Sequence, residues 1–250
     1  QCAYCPTQNH VDESGLRDGR TYDPQNPYSY RDYRFYANVL YDGTTFRDSV
    51  MEMHYVIDAS GKEVAQSGIT KYGTGRNNGY SRTGYYMRKF LDPKITYPYK
   101  EKEGSNQNYP IWRYAELLLD YAEAAFRTGD VSTALQKVNL VRQRVKMHPL
   151  TSITLNDILN ERRVEMAFEE TTYWDEIRLG TAVQKLNGST NPLRFMKIVY
   201  QTGGTKTYTT ADMDNQAAER AFRDNQYYYP IPWEEVRFHG IEQNAGWHEK

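Results

Sequence analysis

Between Tyr109 and Arg144 apolar residues recur every third or fourth position. Ile111, Tyr114, Ala115, Leu118, Tyr121, Ala122 and Ala125 share one face of a helix with 3.6 residues per turn, so the spacing predicts one there. Gly129-Asp130 stops it, because glycine tolerates the left-handed backbone that closes a helix. After Ser132 the spacing resumes at Ala134, Leu135, Val138 and Val141. The pattern predicts an αα-hairpin whose small residues Ala122, Ala125 and Ala134 allow close backbone approach. One hairpin cannot bury its own apolar face, so further layers are expected.

After Pro149 a second helical pair is predicted. Thr154 or Asn156 caps it, Leu155, Ile158, Leu159, Met166, Ala167 and Phe168 give its apolar face, and Trp174, Ile177 and Leu179 mark a following helix that stops at Gly180. Residues 1 to 47 show little periodicity and read as irregular chain around one short helix near Tyr30 to Leu40. Val50 to Ile57 alternates, Asp58-Ala59-Ser60-Gly61 has turn chemistry, and Lys62 to Gln66 returns as a second strand. Lys71 to Arg82 is a Gly and Asn loop, and Gly84 to Phe90 is short and extended. Leu193 to Thr210 reads as strand, turn and strand, an excursion from the helical body. Ala217 to Phe222 returns to helix, Tyr227 to Pro232 is extended, and Trp233 to Val236 offers one helical turn. The fold class expected is mainly α: tetratricopeptide-like helix hairpins, lacking the usual Trp and Gly of that repeat, with long loops and small β-hairpins.

Composition sharpens this. The chain has 250 residues, enough for a real core, yet only 39% are hydrophobic, and 23 Tyr, 8 Phe and 4 Trp place much of the apolar surface on rings, many with polar handles. Such rings suit sugar or peptide contact, although for any single Tyr a buried ring with its hydroxyl satisfied is the commoner role. Lys plus Arg (31) balances Asp plus Glu (32), so no basic field exists to hold nucleic acid. No apolar run reaches membrane-crossing length and no charged-then-apolar leader opens the chain, so the native start is expected to have been removed. Cys2 and Cys5 form a lone C-x-x-C beside Pro6. A local disulfide, or bridges to chain beyond this span, in an oxidising compartment fits better than zinc or redox chemistry.

Signatures of catalysis are weak. The five histidines, His10, His54, His148, His239 and His248, are scattered with no H-E-x-x-H, so no metal and no cofactor is expected. No G-x-S-x-G occurs, and no Gly-Lys-Ser/Thr follows the glycine-rich loop. Glu161, Glu165, Glu169, Asp175 and Glu176 offer carboxylates for glycoside hydrolysis, which needs a pair about 5–9.5 Å apart. Arg162 and Arg163 stand within helical reach of Glu165 and Glu169, so ion pairs clamping helix to helix are the expected reading. Trp112, Trp174, Trp233 and Trp247 are expected to anchor the core.

Several blocks now add up. RYAELLLDYAEA (113 to 124), LQKVNLVRQR (135 to 144), ILNERRVEMAFEE (158 to 170) with YWDEIRLG (173 to 180), and YYPIPWEEV with IEQNAGW (228 to 236, 241 to 247) occur in order. Together they closely resemble the C-terminal half of the SusD/RagB family of outer-membrane nutrient-binding lipoproteins of Bacteroidetes. DYRFYANVLYDGTTF (32 to 46) and GYYMRKFLD (84 to 92) are similar to the two weaker blocks that precede them. Glu169-Glu170-Thr171-Thr172 stands where the family commonly has Glu-Gly-x-Arg/His, and Ala245 where Pro is usual.

The resemblance implies one SusD-like domain over 1 to 250, half of a protein about twice as long, with a loop-rich ligand-facing part (1 to 108) and helical hairpins with a PIP/QN tail (109 to 250). It implies no enzyme activity. It implies an oligosaccharide ligand, with peptide as cargo in some branches, and a SusC-like TonB-dependent transporter as partner. The lipid anchor would lie in the missing N-terminal half, at the cell surface. The ligand surface is expected in the loops, at Tyr28, Tyr30, Tyr41, Tyr72, Arg76, Asn77, Asn78 and Tyr80. A helical-repeat carbohydrate hydrolase or lyase, and an adaptor that binds only protein, are the alternatives.

Overall fold

The computed structural model describes residues 20–65, 81, 83–94, 107–212 and 220–247. Among these, residues up to Glu170 together with Arg194–Ala211 form one compact unit, and Thr171–Leu193 with those from Asp212 onward form a second.

The helix hairpin organises the first unit. Helices α2 (Tyr114–Arg127) and α3 (Val131–Arg144) are separated by three residues that satisfy both helix ends. Gly129 takes φ +90°, the Gly129 and Asp130 amides donate back to the Phe126 and Ala125 carbonyls, and the Asp130 carboxylate accepts from the Thr133 amide at 3.0 Å. Next comes α4 (Leu155–Glu165), opened by a reciprocal capping box between Thr154 and Asp157, as the capping signal predicts. Asn139 pins the connection to α4 by donating to the Leu150 carbonyl at 2.9 Å and accepting from its amide at 2.8 Å.

Leu118, Leu119, Ala122 and Ala125 of α2, Ala134, Val138 and Val141 of α3, and Ile153 and Ile158 make the seam between these helices. Three of the nine are alanines, so the backbones approach closely, as expected. The buried face is displaced from the one the pattern suggests, however: Ile111, Tyr114 and Tyr121 are exposed. Helix α4 also ends earlier than its apolar run. Phe168 and Glu170 adopt φ +68° and +62°, and Phe168 is exposed.

A second hydrophobic cluster joins α1 (Tyr33–Asn38) to the sheets. Phe35, Val39, Tyr85, Ala167, Met196 and Ile198 are buried in it, with Tyr28, Tyr36, Tyr41, Val164 and Tyr208 packed around. Strands β1 (Val39–Leu40) and β6 (Tyr86–Met87) pair antiparallel, as do β2 (Thr45–Phe46) and β3 (Ser49–Val50). The expected hairpin over residues 50–66 is β4 (Tyr55–Ile57) with β5 (Glu63–Ala65). The strand–turn–strand reading also holds as β7 (Arg194–Tyr200) and β8 (Lys206–Asp212). It is no excursion: β4 runs parallel to β7, pairing Tyr55 with Val199, in a four-stranded sheet of order β5-β4-β7-β8.

In the second unit α5 (Thr171–Arg178) stops at Gly180, φ +69°, and is followed by α6 (Ala182–Leu186). Of the helix expected at Ala217 to Phe222, residues 217–219 lie outside the described residues. Arg220 to Phe222 is not helical; Asn187 holds both the amide and the carbonyl of Phe222 instead. Helix α7 (Trp233–His239) extends the single turn expected. The QN tail acts as a clamp. Gln243 accepts from the Ile231 amide and donates to its carbonyl, both at 2.8 Å, and Asn244 donates to the Tyr229 carbonyl. The Trp247 indole donates to the Asn225 and Tyr228 carbonyls. Gly246 sits at φ +78°, where an added Cβ would lie 2.8 Å from that of Asn225.

Trp247, half-buried, anchors the tail through these two hydrogen bonds and lies outside both hydrophobic clusters. Trp112, Trp174 and Trp233 do not anchor the core, being 79%, 54% and 40% exposed. A tryptophan inside a recurrent block signals packing without saying which molecule or segment it packs against.

Candidate ligand surface and the charged core

Of the carboxylates that suggest hydrolysis, Glu161 and Glu165 lie on α4, Glu169 just beyond it and Asp175 and Glu176 on α5, and the surroundings of the first three decide what they can do. Glu161 and Glu165 are 4% and 2% exposed. Arg34 of α1 donates to Glu161 at 2.7 Å and to Glu165 at 2.9 Å, and its other nitrogens grip Asp32, the residue that caps α1. Arg142 of α3 takes the second Glu161 oxygen at 2.9 Å. Arg113, at the start of α2, reaches Glu165 at 2.5 Å and Glu169 at 2.6 Å, while Arg144 donates to Glu165 at 2.6 Å and Lys89 to Glu169. Arg162 turns to α2, bonding Asp120 at 2.7 Å and Glu116 at 3.1 Å.

The expected clamp is therefore present with different partners. Cations arrive on Glu165 and Glu169 from α1, α3 and the segments before α2, and a helical-reach argument confined to α4 does not find them.

Electrostatics follow from this packing. Burial pushes the Glu165 carboxyl up, but the hydrogen bonds and charges of Arg113 and Arg34 outweigh it and hold the group below the usual glutamate range. Burial likewise opposes the Arg34 charge, and Glu161, Asp32 and Glu165 more than restore it. For Lys89 burial wins over Glu169, and its ammonium is held less firmly than an ordinary lysine. A general acid at neutral pH needs a raised carboxyl, whereas Glu165 moves the other way with both oxygens engaged. These carboxylates act as ion-pair acceptors. Among the described residues, no group of three or more His, Cys, Asp or Glu is placed to hold a metal ion.

The candidate ligand residues fall into three groups. Tyr28 and Tyr41 belong to the second cluster: their rings lie 4.4 Å apart, Tyr41 stacks on Phe35 at 5.1 Å, and Tyr28 meets Tyr208 edge-on at 5.6 Å. Burial raises the Tyr41 hydroxyl above the ordinary tyrosine value. Tyr30 is 44% exposed, with φ +55° and the Arg20 guanidinium 4.7 Å from its ring centre. Tyr72, Arg76, Asn77, Asn78 and Tyr80 lie outside the described residues. The chain that follows them is anchored beside the second cluster, where Ser81 donates to the Tyr85 carbonyl at 2.6 Å and the Ser81 amide meets the Tyr86 hydroxyl at 2.8 Å.

Two concavities escape the sequence reading, the first because its residues come from separate helices. One of about 300 Å³ is lined by Tyr33, Arg34, Ala37, Arg144, Val145 and Lys146, combining an exposed ring with cationic groups. Another of about 590 Å³ runs along α3 past Gln136, Gln143 and His148. In the second unit an aromatic group is also exposed: Trp174 stands 5.2 Å from Tyr173 and 6.5 Å from Tyr229. The neighbouring Tyr229 raises the Tyr173 hydroxyl above the ordinary tyrosine value.

Comparison with known proteins places this architecture. The family model for the SusD family matches residues 1–247. A solved SusD-like protein from Bacteroides fragilis is 29% identical with a TM-score of 0.70, the match covering 97% of this chain and 47% of that one. A solved SusD-like carbohydrate binding protein from the same species is 28% identical with a TM-score of 0.61, covering 93% of this chain and 47% of that one. A SusD-like protein of Bacteroides ovatus is 41% identical over 75 residues, 28% of this chain and 13% of that protein. The chain thus spans about half the length of the solved relatives it matches. With its helical body, small sheets and tail clamp, the chain belongs to the SusD family.

Proposed function

We propose that this chain is the C-terminal half of a glycan-binding protein of an outer-membrane nutrient uptake complex. The protein captures oligosaccharide at the cell surface without altering it and passes it to a SusC-like TonB-dependent transporter. The observation that carries this reading is the family match over residues 1–247, supported by a carbohydrate-binding relative at 28% identity over 93% of the chain. In this reading the α2–α3 hairpin is a tetratricopeptide-like scaffold, and the missing N-terminal half bears the lipid anchor. In this reading Tyr28, Tyr30, Tyr41, Tyr72, Arg76, Asn77, Asn78 and Tyr80 are the residues that contact the sugar, through ring faces and polar forks to its hydroxyls. The engaged state of Glu161 and Glu165 speaks against the hydrolase alternative.

A glycan array with the full-length protein tests this. Binding to a defined set of oligosaccharides, weakened by Tyr72→Ala and Tyr80→Ala and accompanied by no new reducing ends, is expected. Reducing ends released from a bound polysaccharide, or binding to peptides alone, would overturn it.

A further inference from the structure

The concavity between α1 and the end of α3 has a wall of one charge. Arg34, Arg144 and Lys146 line it with Tyr33, Ala37 and Val145, and among the described residues no carboxylate does. Like charges gathered in this way repel one another unless an anion stands among them. Each nitrogen of Arg34 is already bonded, to Asp32, Glu161 or Glu165, so this arginine is a saturated floor. Arg144 and Lys146 are not saturated. Of the Arg144 nitrogens only Nη2 is bonded among the described residues, to both Glu165 oxygens, and the side chain is 57% exposed. Lys146 is exposed and makes no ion pair among the described residues. It stands there on strained backbone: its φ is +57°, a left-handed conformation that such side chains seldom adopt, with its amide on the Gln143 carbonyl at 3.0 Å. Behind the wall, Lys89, Arg34, Arg113, Arg142 and Arg144 share Asp32, Glu161, Glu165 and Glu169, one cation more than there are acids. The network has no acid to spare for Lys146.

We propose that this concavity takes the acidic group of a charged saccharide, a carboxylate or a sulfate ester, on Arg144 and Lys146. The inference rests on the glycan reading above and adds the charge of the ligand. A planar guanidinium forks onto two oxygens of such an anion, and an ammonium adds a mobile point charge beside it. The rest of the concavity fits a sugar. Tyr33 is 44% exposed, and Ala37, one turn further along α1, is small enough to leave room beside the ring for the C–H face of a pyranose. The volume of about 300 Å³ is at the lower end for ligand pockets, which suits one acidic residue rather than a length of chain. Lys146 also lines the groove of about 590 Å³ along α3, where the exposed Gln136 and Gln143 offer amides to the hydroxyls of neighbouring sugar residues.

A glycan array probed with the full-length protein tests this when it sets uronate oligosaccharides beside their methyl esters and sulfated ones beside their desulfated forms. In one kind of pair the acidic member should bind about ten-fold tighter than its neutral twin by titration calorimetry, an advantage that shrinks as salt is raised. The kind of pair that shows it tells carboxylate from sulfate. Lys146→Asn and Lys146→Gly, both suited to a left-handed backbone, should remove most of that advantage while the melting temperature holds. An advantage that survives both substitutions locates the anion elsewhere and overturns the proposal. Equal binding of acidic and neutral members overturns it too and leaves the glycan reading standing, whereas binding of no saccharide at all ends both. Binding of oligoglutamate, lost in Lys146→Asn, with no preference among the saccharides would make an acidic protein segment the occupant instead.

Discussion

Two regions hold the same three helices together by opposite means. The seam of Leu119, Ala122, Ala134, Val138 and Ile158 uses small apolar side chains at near-zero exposure, while Glu161, Glu165 and Glu169 gather arginines and a lysine a few turns away. The seam is graded: each lost methylene costs its own transfer and cavity terms. The network is closer to all-or-none, because removing one carboxylate strands charges already taken out of water. Burial strength therefore resides in the seam, while the ions tie α1, α3 and the start of α2 to α4 through Arg34, Arg142, Arg144 and Arg113.

The contrast can be broken at its strongest point first. Glu165→Ala leaves Arg34, Arg113 and Arg144 facing an empty site and should cost about 3–5 kcal/mol in chemical denaturation. A loss below 1 kcal/mol would mean that water already compensates the cations. Leu119→Ala, in the seam, should cost about 3 kcal/mol with no change in pH dependence.

That pH dependence separates the regions further. The folded Glu165 carboxyl titrates below its unfolded value, so its contribution is complete above the ordinary glutamate range and is lost as pH falls through the depressed folded value. Thermal melts should show stability declining from about pH 5 downward, and more shallowly in the Glu165→Gln protein. A wild-type profile as shallow as the variant's would remove Glu165 from the account. Away from both regions, Gly246→Ala should cost about 2 kcal/mol through its positive φ and the clash with Asn225. Thr154→Ala loses one exposed half of the capping box and should cost about 1 kcal/mol, the smallest effect.

Local grammar was legible in the residues and long-range grammar was not. The spacing from Leu118 to Val141 and the left-handed Gly129 define the α2–α3 hairpin, Thr154 announces α4, and alternation on either side of a Thr-Gly-Gly-Thr turn gives β7 and β8. Each is a property of a few consecutive residues. The partners of Glu165 come from positions 34, 113 and 144, and β4 finds β7 across most of the unit; no window of sequence holds both members of such pairs. The candidate site divides the same way. Tyr30 is exposed, as a loop ring offered to ligand requires, whereas Tyr28 and Tyr41 pack into the second cluster because α1 and β8 bring Phe35 and Tyr208 beside them. Periodicity distinguishes apolar from polar on α2, but it does not say that Leu119 and Ala122 are buried while Tyr114 and Tyr121 are exposed.

The parallel alignment of Tyr55 with Val199 also governs the order in which this polypeptide matures. During synthesis β4 and its hairpin partner β5 leave the ribosome long before β7 exists, while the α2–α3 pair, whose contacts are local, is free to assemble at once. Closure of the sheet must wait for the strands after Arg194, by which time the Thr171–Leu193 insertion has also emerged. Until then one edge of β4 stays unfilled, a row of unpaired backbone groups open to pairing with another chain.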